Sequence, residues 1–250
     1  MNDLELALAL ADAADAITLQ HFQSRTLAVR TKKDLTPVSE ADEAVERMIR
    51  EHLARERPED GIVGEEFGAT GSSRRRWIID PIDGTKNYVR GIAVYATLIG
   101  LADGERAIAG VVSAPAMNRR WWAARGEGAF CNGSAIQVSQ ILRVNDAHLG
   151  YDSITDFDEH GGTSGFLQLA RSCTRTRAFG DFWIHMLVAE GAIDIAIEPK
   201  VAAWDMAAVQ VIVEEAGGRF SGIDGAATFD AGSGVSTNGA LHEQVLEFFR

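Results

Sequence analysis

The sequence predicts an α+β fold, with helices that lead into a sheet and a second layered half after it. Leu and Ala recur at helical spacing over residues 4–22, and a second helix is predicted from Ser39 to about Arg55. Short apolar runs between residues 77 and 124 are separated by glycine or proline, which is typical of strands joined by hairpins. The last third alternates predicted helices with a strand. We treat residues 1–250 as one unit, with approximate halves at 1–145 and 146–250.

Turn-forming residues mark where the helices and strands of the first half begin and end. A basic extended stretch, 27–33, leads to Asp34-Leu35-Thr36-Pro37, which predicts a turn ahead of the second helix. Ser39 and Asp42 have the spacing of a capping box. The run Trp77-Ile78-Ile79 predicts a strand that stops at Asp80-Pro81, because proline removes a ladder donor and holds the residue before it extended. Further strands are predicted at 93–101, 107–113 and 120–124.

Glycine-rich breaks order the second half. The Gly/Ser/Thr-rich stretch 160–165 predicts a flexible loop. A helix is predicted from about Asp181 to Glu190, and a strand over Ile193-Asp194-Ile195-Ala196-Ile197. A last helix is predicted from Asp205 to Ala216, closed by Gly217-Gly218.

Composition and charge narrow the class of protein. The formal net charge of −12 would repel nucleic acids and anionic lipids, and we interpret the dense basic run Arg74-Arg75-Arg76 as a solvated loop. Cys131 and Cys173 are too few for a disulfide framework or a zinc site, which fits a reducing compartment. The N-terminus lacks a basic signal-peptide start, and no stretch approaches the roughly 20 apolar residues of a membrane span. We expect a soluble, cytoplasmic protein with no nucleic-acid or membrane partner.

The string Asp80-Pro81-Ile82-Asp83-Gly84-Thr85 carries the strongest chemical signal. Two carboxylates three residues apart and the carbonyl of Ile82 form an oxygen set of the kind that Mg²⁺ prefers. Gly84 and Thr85 open a predicted helix, so their N–H groups can bind phosphate oxygens. Taken singly, Asp83 is equally explained as a helix N-cap and Asp80 as a turn residue.

The string resembles the inositol monophosphatase superfamily, whose hallmark is Asp-Pro-Ile/Leu-Asp-Gly-Thr after an apolar strand. Three further elements of the family occur in the same order between about residues 30 and 240. They are Ser39 to Asp42, Gly64-Glu65-Glu66 and Trp204-Asp205. The resemblance implies a layered αβαβα sandwich and a homodimer.

The resemblance also implies roles for particular residues. As many as three Mg²⁺ ions would be held by a set of five groups, Glu65, Asp80, Asp83, Asp205 and the carbonyl of Ile82. Asp42 and Thr85 would orient the attacking water and help to deprotonate it, and Glu65 also counts among the catalytic residues. Without the resemblance, Asp42 is better explained by the capping box alone.

Substrate choice is predicted from the second half. Glu198 precedes Asp205 by seven residues, and the family uses a Glu at this spacing to contact the alcohol. Asp181 is either a helix N-cap or a second acidic contact, and two carboxylates would suit an ammonium. The strings at 83–91 and 180–183 resemble the histidinol-phosphate phosphatase branch. This resemblance predicts hydrolysis of L-histidinol phosphate, a small phosphate monoester, in histidine biosynthesis.

Two other functions stay open at this point. An inositol-1-phosphate phosphatase, or a related sugar phosphatase, would share every metal ligand. A non-catalytic regulatory homologue would bind Mg²⁺ without releasing phosphate.

Overall fold

The computed structural model describes residues 1–24, 28–31 and 37–250. Residues 27, 32 and 33 of the basic stretch and residues 34–36 of the predicted turn lie outside the described residues. Within the described part of the chain, no helix combines the length and the apolar character needed to cross a membrane.

Two long helices near the N-terminus agree with the predicted spans. α1 covers Asp3–His21 and α2 covers Glu40–Glu56. Between them lies an antiparallel pair of short strands, β1 (Val29–Thr31) and β2 (Pro37–Ser39). The capping box at the start of α2 is present, because the backbone N–H of Ser39 donates to Asp42 Oδ2 at 2.8 Å.

An eight-stranded sheet follows. Its strands are β3 (Gly61–Gly64), β4 (Gly68–Thr70), β5 (Arg75–Asp83), β6 (Ala96–Asp103), β7 (Arg106–Ala114), β8 (Arg119–Ala124), β9 (Gly128–Cys131) and β10 (Ser134–Ala135). The order is β10-β9-β8-β7-β6-β5-β3-β4, and only the β3–β5 pair is parallel. β6, β7 and β8 confirm the predicted strands and hairpin links.

The strand predicted to end at Asp80 is longer than predicted. β5 continues through Pro81 to Asp83, and its register with β6 shifts between Asp80 and Asp83. A bulge accommodates proline within a strand, and the hydroxyl of Thr97 donates to the Pro81 carbonyl at 2.8 Å. The short helix α3 (Thr85–Val89) then begins, as predicted, directly after Gly84.

A five-stranded sheet forms the second half. It contains β11 (His148–Tyr151), β12 (Arg175–Ala178), β13 (Ile195–Glu198), β14 (Arg219–Ser221) and β15 (Gly234–Thr237), in the order β12-β11-β13-β15-β14. The helices that accompany it are α4 (Ile154–His160), α5 (Thr163–Ser172), α6 (Asp181–Ala189), α7 (Ala203–Glu215) and α8 (His242–Leu246). Three 3-10 turns cover Pro115–Met117, Val144–Asp146 and Glu247–Phe249.

Helices and sheets alternate in five layers. α1 and α2 bury their apolar faces on one side of the eight-stranded sheet. α6 and α7 fill the space between that sheet and the five-stranded sheet. α4, α5 and α8 cover the outer face of the five-stranded sheet. The predicted αβαβα sandwich is therefore confirmed, while the boundary between residues 145 and 146 stays a prediction.

Several predicted boundaries in the second half are wrong. The flexible loop predicted at 160–165 is only Gly161-Gly162, because residues 154–160 and 163–172 form α4 and α5. α6 is preceded by Gly180 at its N-cap position, so Asp181 is the first helical residue and not the cap. α7 starts at Ala203, two residues earlier than predicted, and the strand predicted from Ile193 starts at Ile195.

Candidate active site

Three of the predicted metal ligands converge in space. Asp80 and Asp83 come from the last part of β5, and Asp205 comes from the first turn of α7. One carboxylate oxygen from each lies within 4.8 Å of the others. The three side chains line a cavity of about 580 Å³, together with Glu65 and Ile82. The structure therefore brings all five predicted ligand residues to one cavity.

Local backbone features explain this convergence. Residues three apart in a regular strand point to opposite faces, and the register shift in β5 removes that alternation between Asp80 and Asp83. Asp205 is held by the backbone N–H of Ala202, which donates to Asp205 Oδ2 at 2.7 Å. Gly100 in β6 lets α7 lie directly on the sheet, since a Cβ there would come within 2.8 Å of the Ala207 Cβ.

Electrostatics in the cluster favour a bound cation. Burial raises the pKa of Asp80 well above its usual range, and the charges of Glu65, Asp83 and Asp205 raise it further. Burial and the neighbouring carboxylates likewise raise the pKa of Asp83, and burial raises the pKa of Asp205 to about 7. Buried carboxylates repel one another unless a cation neutralises them, and an all-oxygen donor set is the kind that fits Mg²⁺.

Asp42 and Thr85 face each other beside the cluster. Asp42 Oδ2 accepts from the backbone N–H and the hydroxyl of Ser39, at 2.8 and 2.5 Å. Asp42 Oδ1 lies 3.4 Å from the hydroxyl of Thr85, which also donates to the carbonyl of Ile82 at 2.9 Å. The capping role and the predicted catalytic role therefore use different oxygens of one carboxylate. Burial raises the pKa of Asp42 to about 6.

Glu46 binds the backbone of the turn that carries Glu65. Glu46 was not identified from the sequence as a residue that supports the site. Glu46 is fully buried on α2, and its carboxylate accepts from the backbone N–H groups of Glu66 and Phe67 at 2.7 and 3.2 Å. It also pairs with Arg50 at 2.7 Å. Only the spacing of Glu46 and Arg50 at i, i+4 on a predicted helix could have indicated the pair.

The predicted substrate contacts, Asp181 and Glu198, line the same cavity and are hydrogen-bonded to each other. The backbone N–H of Asp181 donates to Glu198 Oε1 at 3.1 Å, and Asn87 Nδ2 donates to Asp181 Oδ2 at 3.1 Å. The backbone N–H of Phe182 donates to Asp83 Oδ2 at 2.6 Å. These bonds join the start of α6 to the end of β5, to α3 and to the end of β13.

A profile of the inositol monophosphatase family matches residues 2–250. The chain belongs to this family.

Relatives of known name agree with that assignment. The chain is 51% identical to the histidinol-phosphatase of Streptomyces coelicolor, with 99% of this chain and 97% of the relative covered. It is 50% identical to the histidinol-phosphatase of Mycobacterium tuberculosis, with 98% and 96% covered. Identity of this extent over nearly the whole chain, together with the family, makes the protein a phosphoric monoester hydrolase.

Solved structures of the family share the fold. The inositol monophosphatase of Thermotoga maritima superposes with a TM-score of 0.89 at 29% identity, covering 99% of this chain and 96% of that one. The inositol monophosphatase of Zymomonas mobilis gives a TM-score of 0.88 at 31% identity, with 98% and 96% covered.

Beyond the family residues, the cavity has an acidic rim that sequence reasoning missed. Asp152, Asp156 and Glu159 line it, with His160 and Lys200. Asp156 and Glu159 lie on α4 at a spacing of i, i+3, which is typical of one helix face and was the available signal, whereas Asp152 precedes the helix. Burial and then Asp156 raise the pKa of Asp152. A larger cavity of about 660 Å³ near Arg125 and Glu214 contains none of the predicted site residues.

Proposed function

We propose that this enzyme hydrolyses L-histidinol phosphate to L-histidinol and phosphate, with Mg²⁺ as cofactor, as a step in histidine biosynthesis. The observation that carries the proposal is a pair of carboxylates, those of half-buried Asp181 and buried Glu198, in the same cavity as the acid cluster. An ester whose phosphate lies at the cluster would place its leaving alcohol against this pair. Two carboxylates suit an ammonium group better than a neutral polyol. The names of the two relatives at 50–51% identity support the same substrate.

The acid cluster would hold the metal. We assign as many as three Mg²⁺ ions to Asp80, Asp83, Asp205, Glu65 and the carbonyl of Ile82. Bound there, Mg²⁺ would neutralise charge on the phosphoryl and leaving oxygens and activate the attacking water.

The chain's own groups would orient the reaction. The hydroxyl of Thr85 would hold the attacking water, and Asp42 Oδ1, next to that hydroxyl, would receive its proton. The first N–H groups of a helix have no intrahelical acceptor, so those of Gly84 and Thr85 would bind phosphoryl oxygens. The water oxygen bonds to phosphorus as the bond between phosphorus and the ester oxygen breaks, and the ester oxygen takes up a proton from solvent and leaves as the free alcohol. No covalent phosphoenzyme is required.

The test is phosphate release by the purified enzyme from three esters. They are L-histidinol phosphate, its des-amino analogue, which keeps the imidazole, and inositol-1-phosphate. We expect kcat/KM for L-histidinol phosphate to exceed the other two by about 100-fold, and chelation of divalent cations to abolish release. Equal or faster hydrolysis of inositol-1-phosphate would favour the second candidate, an inositol-1-phosphate phosphatase, which the family itself supports. Magnesium binding without release from any ester would indicate a regulatory homologue.

We also propose a homodimer in the cytoplasm, on the family resemblance and on the free cysteines at positions 131 and 173. Light scattering coupled to size exclusion measures the mass directly. A mass of about one chain at working concentrations contradicts the dimer.

A further inference from the structure

His185 lies beneath the predicted substrate contact Glu198. It is fully buried on α6, and its Nε2 is 3.0 Å from Glu198 Oε2. Its other ring nitrogen, Nδ1, is 2.7 Å from the hydroxyl of Ser236, which is also fully buried on β15. The three side chains therefore form a continuous chain of hydrogen bonds from β15 to the cavity.

The protonation state of Glu198 fixes the direction of this chain of hydrogen bonds. Burial lowers the pKa of His185 to about 3, so the imidazole is neutral and has one donor and one acceptor nitrogen. An ionised carboxylate only accepts, whereas a serine hydroxyl can donate. With Glu198 ionised, the Ser236 hydroxyl donates to Nδ1 and the Nε2–H of His185 donates to Glu198.

The Nε2–H of His185 offsets part of the free-energy cost of burying Glu198 as a charged carboxylate. Burial raises the pKa of Glu198 to about 8, and the charge of Asp152 adds to the effect. The backbone N–H of Asp181 donates to one oxygen of Glu198 and His185 donates to the other. Donors to a carboxylate stabilise its charged form. A protonated Glu198 would no longer distinguish an ammonium from a neutral group.

We propose that His185 is a positioning residue for selectivity: when a substrate ammonium favours the ionised form of Glu198, the Nε2–H of His185, oriented by Ser236, donates to that carboxylate and holds it at the leaving alcohol, so that the enzyme favours esters of cationic amino alcohols. The inference rests on the proposed function. The structure offers a matched control in His242, which is fully buried between the hydroxyls of Ser221 and Thr237, at 2.8 and 3.1 Å. Among the described residues, its ring has no hydrogen bond to a residue that lines the cavity.

The experiment measures kcat and KM for L-histidinol phosphate and for its des-amino analogue, at saturating Mg²⁺. We expect His185→Leu to raise KM for L-histidinol phosphate by about 10- to 100-fold and to change KM for the des-amino analogue by less than about 2-fold. His185→Gln keeps a donor and should restore most of the loss. Ser236→Ala leaves the ring unoriented and should raise the same KM by about 3- to 10-fold. His242→Leu should lower thermal stability without changing the ratio of the two KM values.

Each outcome decides the proposal. An equal rise of both KM values in His185→Leu means a purely structural role and overturns it. If His185→Leu does not fold, Ser236→Ala decides, and an unchanged KM ratio overturns the proposal. A wild-type enzyme that shows no preference for L-histidinol phosphate over the des-amino ester overturns the proposed function itself, and the role of His185 in cation selectivity with it. A wild-type preference that survives in His185→Leu leaves the proposed function standing and removes only this inference.

Discussion

Asp83 shows how one carboxylate serves both the fold and the site. Its Oδ2 accepts from the backbone N–H of Phe182 at 2.6 Å, a contact between residues 99 apart in sequence. A carboxylate oxygen of Asp83 also lies in the cluster with Asp80 and Asp205. The side chain therefore fixes the start of α6 and at the same time contributes charge to the proposed cation site.

These two roles separate in Asp83→Asn. The amide oxygen can still accept from Phe182, whereas the negative charge is lost, so we expect phosphate release to fall by about 1,000-fold or more with little change in thermal stability. Release assays and thermal unfolding of the same sample check this. Asp60→Asn is a suitable control, because Asp60 also accepts hydrogen bonds, from Arg75 and Trp77, but lines no part of the cavity. An Asp83→Asn enzyme with wild-type activity contradicts the assignment of Asp83 as a ligand.

Thr85 is the second residue whose roles can be separated. Its hydroxyl contacts Asp42 Oδ1 and the Ile82 carbonyl, and valine has the same shape without the hydroxyl. We expect Thr85→Val to lower kcat by about 100-fold with little change in KM, because the proposed mechanism uses this hydroxyl to orient the attacking water. Thr85→Ser keeps the hydroxyl and should retain most of kcat. A Thr85→Val enzyme with unchanged kcat removes Thr85 from the proposed mechanism.

Strand β5 extends beyond its predicted end, and the reason lies in the pairing of strands. The run Trp77-Ile78-Ile79 and the proline predicted a strand and its end, and both inferences used only neighbouring residues. The continuation to Asp83 depends on the shift in pairing with β6. Pairing register is set by the partner strand, so a local reading of the chain does not contain it. The same holds for residues 160–165, where composition indicated a loop and packing produced two helices.

The seating of α7 on the eight-stranded sheet also gives a prediction. A Cβ on Gly100 would lie 2.8 Å from the Ala207 Cβ, so Gly100→Ala should push α7 outward and move Asp205 away from β5. We expect a loss of about 1–3 kcal/mol in the free energy of unfolding and weaker Mg²⁺ binding by calorimetry.

Removing the opposing methyl group provides the check on Gly100→Ala. The double variant Gly100→Ala, Ala207→Gly should recover part of the Mg²⁺ affinity, despite the cost of about 1 kcal/mol for glycine within a helix. Ala207→Gly alone should lose stability but keep its Mg²⁺ affinity. If Gly100→Ala binds Mg²⁺ like the wild type, close packing of α7 does not position Asp205.

Residues from both the N-terminal and the C-terminal part of the chain line the cavity. Local motifs identified the acids of β5, the turn after β3 and the first turn of α7, because each motif is contiguous in sequence. Asn87 and Asp181 are 94 residues apart and meet only through the packing of α3 against the start of α6. In the sequence, His185 belongs to a predicted apolar helix and has no distinguishing neighbour. Its partners Glu198 and Ser236 lie on β13 and β15 and come beside it only in the folded chain. Such residues follow from the tertiary fold.

The shared acid cluster predicts how stability depends on pH. In the metal-free protein, burial raises the pKa of the Asp205 carboxyl from its usual value of about 3.8 to about 7. Between these values the native state holds a proton that the unfolded chain has released, so this contribution to stability is present at low pH and is lost as the pH rises toward 7. Asp80 and Asp83, whose pKa values are also raised, act in the same direction. Bound Mg²⁺ should reverse the trend, because it stabilises the ionised carboxylates.

The stabilisation by Mg²⁺ should therefore grow as the pH rises from about 5.5 to about 7.5. The measurement is the difference in Tm with saturating Mg²⁺ and with a chelator, at each pH. Buried His185 and His242 have pKa values lowered to about 3 and about 4. Their contribution to stability has the opposite pH dependence, because it is present above a pH of about 6.5 and is lost as the pH falls below that value. Neither belongs to the cluster, so their effect cancels in the difference. In Asp205→Asn the rise in Tm on adding Mg²⁺ should be smaller and depend less on pH. If the rise in Tm of the wild-type protein stays constant or shrinks as the pH increases, a cation site built from these carboxylates is contradicted.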